Sequence, residues 1–260
     1  MKTLTVHSID LESLNRLDAY FHLSDGRRLA RHVSTGAIQH LGFGAEGGLK
    51  AKVWMPGRLK HVYAVTGEKY LPYLRPSDTL NYLPRAADHI SESRTPNIDS
   101  YKIIPGMILI TRSGRNLGPV IYVDEYLSRF ALSDDMLRVN IDNETMRFYC
   151  LGLLSSPTGQ KMLRKNKSGS VIDHITVDHV TALDVPMLGD GIVKDIAARM
   201  KKAVTIRESA RLKLADLEEK FEATLPPMPK AAKKSLGWTI SSQCLSGIKP
   251  SHLNRLRQGA

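Results

Sequence analysis

The chain has 260 residues, 42% of them hydrophobic, which is enough to bury a real core in one large domain or two ordinary ones. Its formal charge of +11 points to a polyanionic partner, nucleic acid first and an anionic membrane second, because clustered Lys and Arg displace counterions from phosphate. No window approaches the ~18 apolar residues of a membrane span, residues 1–10 lack a basic start followed by an apolar core, and Cys150 and Cys244 lie too far apart for a zinc knuckle or a disulfide framework. A cytoplasmic protein that spans no membrane and holds no metal is expected, with nucleic acid rather than a membrane as its partner.

In chain order, residues 4–11 alternate imperfectly and predict a strand, and residues 14–21 predict a short helix or turn. The glycines from Gly42 to Gly48 invite comparison with a nucleotide loop. No strong strand precedes them and no Gly-Lys-Ser/Thr follows, so a flexible loop is expected. Residues 58–63 predict a strand with Arg58 and Lys60 among its basic residues, residues 67–76 a turn and a strand around Tyr70 and Leu71, and residues 77–100 a polar, irregular stretch.

Residues 107–110 are continuously apolar and predict a buried strand, which runs into Thr111-Arg112-Ser113-Gly114-Arg115-Asn116-Leu117-Gly118. Two glycines permit tight turns, two arginines can meet phosphate or guanine, and Ser113 and Asn116 add short hydrogen-bonding groups, a set that suits a loop touching DNA. Residues 120–123 return as a second strand, so the loop crowns a hairpin, and residues 130–133 and 136–139 predict further extended pieces. The period then changes. Met146, Tyr149, Cys150, Leu153 and Leu154 recur three to four apart and predict an amphipathic helix ending at Ser155-Ser156-Pro157. After Gly159 a short helix flows into a basic loop, where Lys161, Arg164, Lys165 and Lys167, closed by Ser168, make the densest positive patch. Residues 174–181 predict one more helical turn and residues 183–186 a last strand.

Residues 190–225 predict one long helix, with no glycine after Gly191 and no proline before Pro226. Ile196, Ala203, Ala210 and Leu217 stand seven apart; Val193, Met200, Arg207, Leu214 and Phe221 form the second heptad set, interrupted by Arg207. A helix of about 50 Å exceeds what a compact domain needs, so it reads as a spacer or pairing arm. A seam of this kind calls for a second helix, from another copy, a further segment or another protein.

The ordered series resembles a known family. A strand followed by Arg112-Ser113-Gly114 and Gly118, then Ala131-Leu132-Ser133, Leu137-Arg138-Val139, Leu153-Leu154-Ser155-Ser156 with Gly159, Lys167-Ser168-Gly169, a segment from Ile175 to Val180, Asp184-Val185-Pro186 and a long helix is similar to the target-recognition domain plus helical spacer of type I restriction-modification specificity subunits. The match covers about residues 58–225. The resemblance implies an α/β (α+β) recognition domain over residues 1–187 and a coiled-coil spacer over 188–225. It implies reading of part of an interrupted double-stranded DNA target, docking onto methyltransferase subunits and, through them, a restriction or translocating subunit, with no chemistry and no cofactor of its own. The departure is length, since such subunits carry two recognition domains and two spacers. Residues 226–260 read as a flexible linker and the start of a second repeat: Leu253-Asn254-Arg255-Leu256 repeats Leu14-Asn15-Arg16-Leu17 letter for letter.

Two other readings stand beside this one, a stand-alone dimeric DNA-binding regulator and a metal-dependent nuclease. The Asn/Asp-Pro-Pro-aromatic tetrad of an adenine methyltransferase is absent from the sequence. Glu218-Glu219-Lys220 sits within the long helix and reads as its surface, Asp134-Asp135 and Asp124-Glu125 read as turn formers, and His174 and His179, five apart, do not share a helical face.

Overall fold

The computed structural model describes residues 39–44, 48–58, 60–113, 117–164 and 174–226. The expectations for residues 4–11 and 14–21, for Arg115, Asn116, Lys165, Lys167 and Ser168, and for the second repeat lie outside these residues. The chain divides into two compact units, Met1–Glu218 and Glu219–Ala260. The first is a mixed α/β domain of small sheets that runs into one long helix. Among the described residues no helix is long and apolar enough to cross a membrane.

The central sheet has four antiparallel strands in the order β2 (Lys52–Trp54), β8 (Met136–Asn140), β5 (Ile108–Thr111) and β6 (Val120–Tyr122). Every residue of β5 is buried because both faces of the sheet are covered. The register Ile108↔Val139 and Ile110↔Leu137 puts these four side chains on one face. There they meet Phe148, Leu151 and Leu154 of helix α1 (Glu144–Ser155) and Val193, Ala197 and Val204 of helix α4 (Asp190–Thr224) in a single core cluster. Leu109, Ile121 and Met136 point to the other face and join Leu74, Leu127 and Leu132. Period-two alternation thus feeds two cores from one sheet.

A second sheet, β4 (Asp88–Ser91), β3 (Tyr70–Leu74) and β7 (Ala131–Leu132), combines an antiparallel and a parallel pairing. The antiparallel ribbon of β1 (Gln39–Phe43) and β9 (Leu183–Met187) closes the domain ahead of α4. Asn143 caps α1 by accepting from Met146 N at 3.0 Å, and Ser156 starts helix α2 (Pro157–Leu163) by accepting from Gly159 N at 3.1 Å, with Pro157 in the first turn where it needs no donor. Thr176 and His179 form a reciprocal capping box at helix α3 (Val177–Thr181).

Two expectations are corrected. The described residues of 58–63 form no strand: among them Tyr63 makes an isolated bridge to Ile90, and residues 62–64 follow the β4 edge through Ser91 N to Val62 O and Ala64 N to His89 O. Pro56-Gly57 just before it breaks any ladder from β2. Residues 77–100, expected to be irregular, contain β4 and two 3-10 turns, Asp78–Leu80 and Ile98–Tyr101. The sequence of β4, Asp-His-Ile-Ser, has one apolar residue to signal burial, and its strand character comes from pairing with β3, a partner that local reading does not supply.

Candidate nucleic-acid interface

The β5–β6 hairpin carries the arginine loop. Its base is fixed from inside the hairpin, where Gly118 N donates to Thr111 O at 2.9 Å and Thr111 N to Pro119 O at 3.0 Å. Helix α2 fixes it from outside: Gln160 Nε2 donates to Gly118 O at 2.8 Å and Arg164 Nε to Leu117 O at 2.9 Å. Gly118 has φ +97, and a Cβ there would come within 3.1 Å of Arg164 Nε, so this turn needs glycine twice over.

Beyond β5 the chain meets the turn before β8. The pairing Thr111↔Met136 places Arg112 and Ser113 beside Asp134 and Asp135, although more than twenty residues separate them in sequence. Ser113 Oγ donates to Asp135 Oδ2, Arg112 Nε stands 3.9 Å from Asp135 Oδ1, and Ile175 N donates to Arg112 O at 2.8 Å. Arg58, exposed after Pro56-Gly57, closes the other side. The result is a cleft of about 610 Å³ lined by Met55, Arg58, Arg112, Ser113, Asp134, Asp135 and His174.

The guanidinium of Arg112 is poorly satisfied. Its Nη1 donates to the Met55 thioether, a weak acceptor, at 2.7 Å, and its Nε is shut off from solvent with no hydrogen-bond acceptor among the described residues. A planar fork held this way is available to a better acceptor pair such as guanine O6 and N7 or two phosphate oxygens.

Of the residues singled out in the sequence, Arg58, Arg112 and Ser113 come together in the cleft. Lys60, Lys161 and Arg164 are exposed but do not line it. Arg164 acts on the loop base instead, through Leu117 O and Gln160 Oε1. The lining also includes Met55, which no sequence signal marks, Asp134 and Asp135, which read locally as turn formers, and His174, which the sequence suggests only as one of two histidines that share no helical face. The signal for the two acids exists only at the level of strand pairing.

Helix α4 is laid along the domain on one face. Val193, Ala197, Val204 and Arg211 are buried, and Ile196 and Met200 pack partly against the core. Gly152 of α1 allows the close approach, since a Cβ there would stand 3.1 Å from Met200 Cγ and 3.2 Å from Ile196 Cγ2. Polar contacts continue the line. Lys201 Nζ meets Glu144 Oε2 at 2.8 Å, Glu208 Oε1 accepts from Glu125 N at 2.8 Å, and Arg85 pairs with Glu218. The buried Arg211 donates to Asp124 Oδ2 and to Tyr82 O, each at 2.7 Å. Asp124 Oδ1 in turn accepts from Leu127 N, so this buried ion pair is well hydrogen-bonded.

The expected seam is therefore divided. Val193, Ile196 and Met200 serve the chain's own core, whereas Ala203 and Arg207 are exposed and Ala210 half-buried. Farther along, Ile206 (60% exposed), Leu214 and Leu217 (59%) form an uncovered apolar line roughly 120° round the helix from the buried face. In the second unit Phe221 is exposed to 65%. Among the described residues no group of three His, Cys, Asp or Glu is placed to hold a metal ion.

No family model matches the chain, and no curated protein does. Solved structures do. One is the HsdS subunit from Thermoanaerobacter tengcongensis, with 18% identity and a TM-score of 0.39 over 77% of this chain and 52% of that one. Another is the type I restriction-modification system S subunit from M. genitalium, with 14% identity and a TM-score of 0.37 over 70% of this chain and 45% of that one. A third is the type IIG restriction endonuclease BpuSI, with 13% identity and a TM-score of 0.46 over 70% of this chain and 28% of that one. The chain spans about half the length of the two S subunits it matches.

Proposed function

We propose that this chain is a DNA-sequence recognition subunit of a type I restriction-modification or related methylation system. It reads part of an interrupted duplex target, performs no chemistry itself, and presents DNA to methyltransferase subunits. The observation that carries the reading is the cleft: Arg58, Arg112 and Ser113, distant in sequence, face one concave surface in a chain of charge +11. Residues 1–187 act as the reader and residues 188–225 as a spacer whose uncovered apolar line pairs with a second helix, with residues 226–260 opening a second repeat. The family resemblance of the motif series supports this division of the chain.

The same apolar line favours a second reading, a dimeric DNA-binding regulator. Co-purification from the native host separates the two. A methyltransferase retained with this chain, together with duplex binding that is salt-sensitive for the chain alone and sequence-selective in the complex, is the expected result. A chain that purifies as a bare dimer with full selectivity favours the regulator. Metal-dependent cleavage of plain DNA by the purified chain overturns both.

A further inference from the structure

The cleft that holds Arg112 also holds two carboxylates, which a phosphate-binding surface alone has no use for. One is already engaged. Asp135 accepts from Ser113 Oγ, lies beside Arg112 Nε, and has its own N–H tied to Ser133 Oγ at 3.1 Å, so it orients the arginine loop. Asp134 lines the same cleft, yet among the described residues no side chain or backbone group donates to its carboxylate. It sits on the two-residue turn ahead of β8, held at the end of the central sheet by the same strand pairing that places Arg112. Four residues on in β8, Arg138 is a buried arginine whose guanidinium feels the Asp134 charge and whose Nε and Nη1 have no partner among the described residues. The acid is thus fixed by backbone and coupled to the charge of a buried cation.

An anion facing duplex DNA is repelled by every phosphate near it. It helps binding only where it meets a hydrogen-bond donor, and the donors on the major-groove edge are the exocyclic amino groups of cytosine and adenine. Adenine offers a donor and an acceptor side by side, which suits an amide. Cytosine offers a donor alone, which suits an acceptor-only carboxylate. Resting on the DNA-recognition reading above, we propose that Asp134 is a specificity-determining residue that accepts from the 4-amino group of a cytosine, next to the base met by Arg112.

The test selects duplexes with randomised positions on the complex of the full chain with its co-purifying methyltransferase, and on the same complex carrying Asp134→Ala, Asp134→Asn or, as a control, Arg112→Ala. The original complex should enrich cytosine at one position. Asp134→Ala should lose that enrichment by on the order of tenfold while binding unrelated duplexes more tightly at low salt, because a repulsive charge is gone. Asp134→Asn, which keeps the shape of the turn, should shift the preference at that position from cytosine to adenine. The enrichment that depends on Arg112 should persist in both. A merely structural role would lower specific and unspecific binding together, and that result, or an unchanged base profile in both variants, overturns the proposal. A complex that enriches no sequence at all overturns the recognition reading itself, and the two failures are thereby told apart.

Discussion

At the scale of single residues, base reading and backbone holding are expected to fall to different side chains. Arg112 has a half-buried, poorly satisfied fork in the cleft, whereas Lys161 is an exposed ammonium on α2 outside it. Arg112→Ala should cost about 1–3 kcal/mol on the preferred duplex and little on others. Lys161→Ala should weaken all duplexes alike and reduce the salt slope by about 1. Binding measured across a salt series on matched and scrambled duplexes distinguishes them, and equal losses on every sequence for both variants reject the division. The arginine and the serine were legible in the sequence because a glycine-punctuated loop after an apolar strand announces itself. The facing acids were not. Asp134 and Asp135 read locally as turn formers, and only the β5–β8 register reveals what they face.

A second prediction at this scale concerns acid stability. Arg94, through Nε at 2.8 Å and Nη2 at 2.6 Å, and then the Ser91 hydroxyl, hold Glu68 well below the ordinary carboxylate value of 4.5. A carboxylate with a lowered folded-state value contributes stability that is fully present above 4.5 and is lost as the pH falls from there towards the folded value. Thermal midpoints measured from pH 7 to pH 3 should therefore drop more steeply for the original chain than for Glu68→Gln. Parallel curves would show that this clamp between the β4 end and the preceding edge segment does not couple to folding.

At the scale of elements, α4 presents two heptad lines. The seam expected from the sequence joins the line Ile196, Ala203, Ala210 and Leu217 to the set Val193, Met200, Arg207, Leu214 and Phe221. The buried line runs through Ala197, Val204 and Arg211, one residue on from the first of these. It was hidden because it contains one small residue and one charged residue, and its burial depends on the Asp124 carboxylate and the Tyr82 carbonyl waiting on the domain. Sequence periodicity detected a helix that needs covering and did not separate the face its own domain covers from the one left open. The two faces predict opposite phenotypes. Arg211→Ala leaves Asp124 buried and unpaired and should cost about 3–5 kcal/mol in urea unfolding. Leu217→Glu, on the open face, should change unfolding by no more than about 0.5 kcal/mol while abolishing helix-mediated association in sedimentation. The reverse pattern would mean that α4 packs on its domain through the other face.

At the scale of the whole molecule, the cleft proposed to read DNA stands at one end of the central sheet, and an apolar line is left open on the helix that the same sheet helps to anchor. The β5–β6 hairpin and α1 were readable from continuous apolar character and a 3.6-residue period. Of the β3–β4–β7 sheet, β3 and β7 are expected as extended pieces, whereas β4 and the pairing are not legible, since β7 is two residues long and pairs in parallel with a strand nearly sixty residues earlier. The central claim is that this chain specifies which DNA sequence a methyltransferase modifies. Comparing modified bases across the host genome with and without the gene for this chain tests that claim most directly. The account predicts that one interrupted sequence motif loses its methylation when the gene is removed and that an Arg112→Ala copy fails to restore it. An unchanged set of modified motifs in a host where the protein and its methyltransferase partner are both expressed would contradict it.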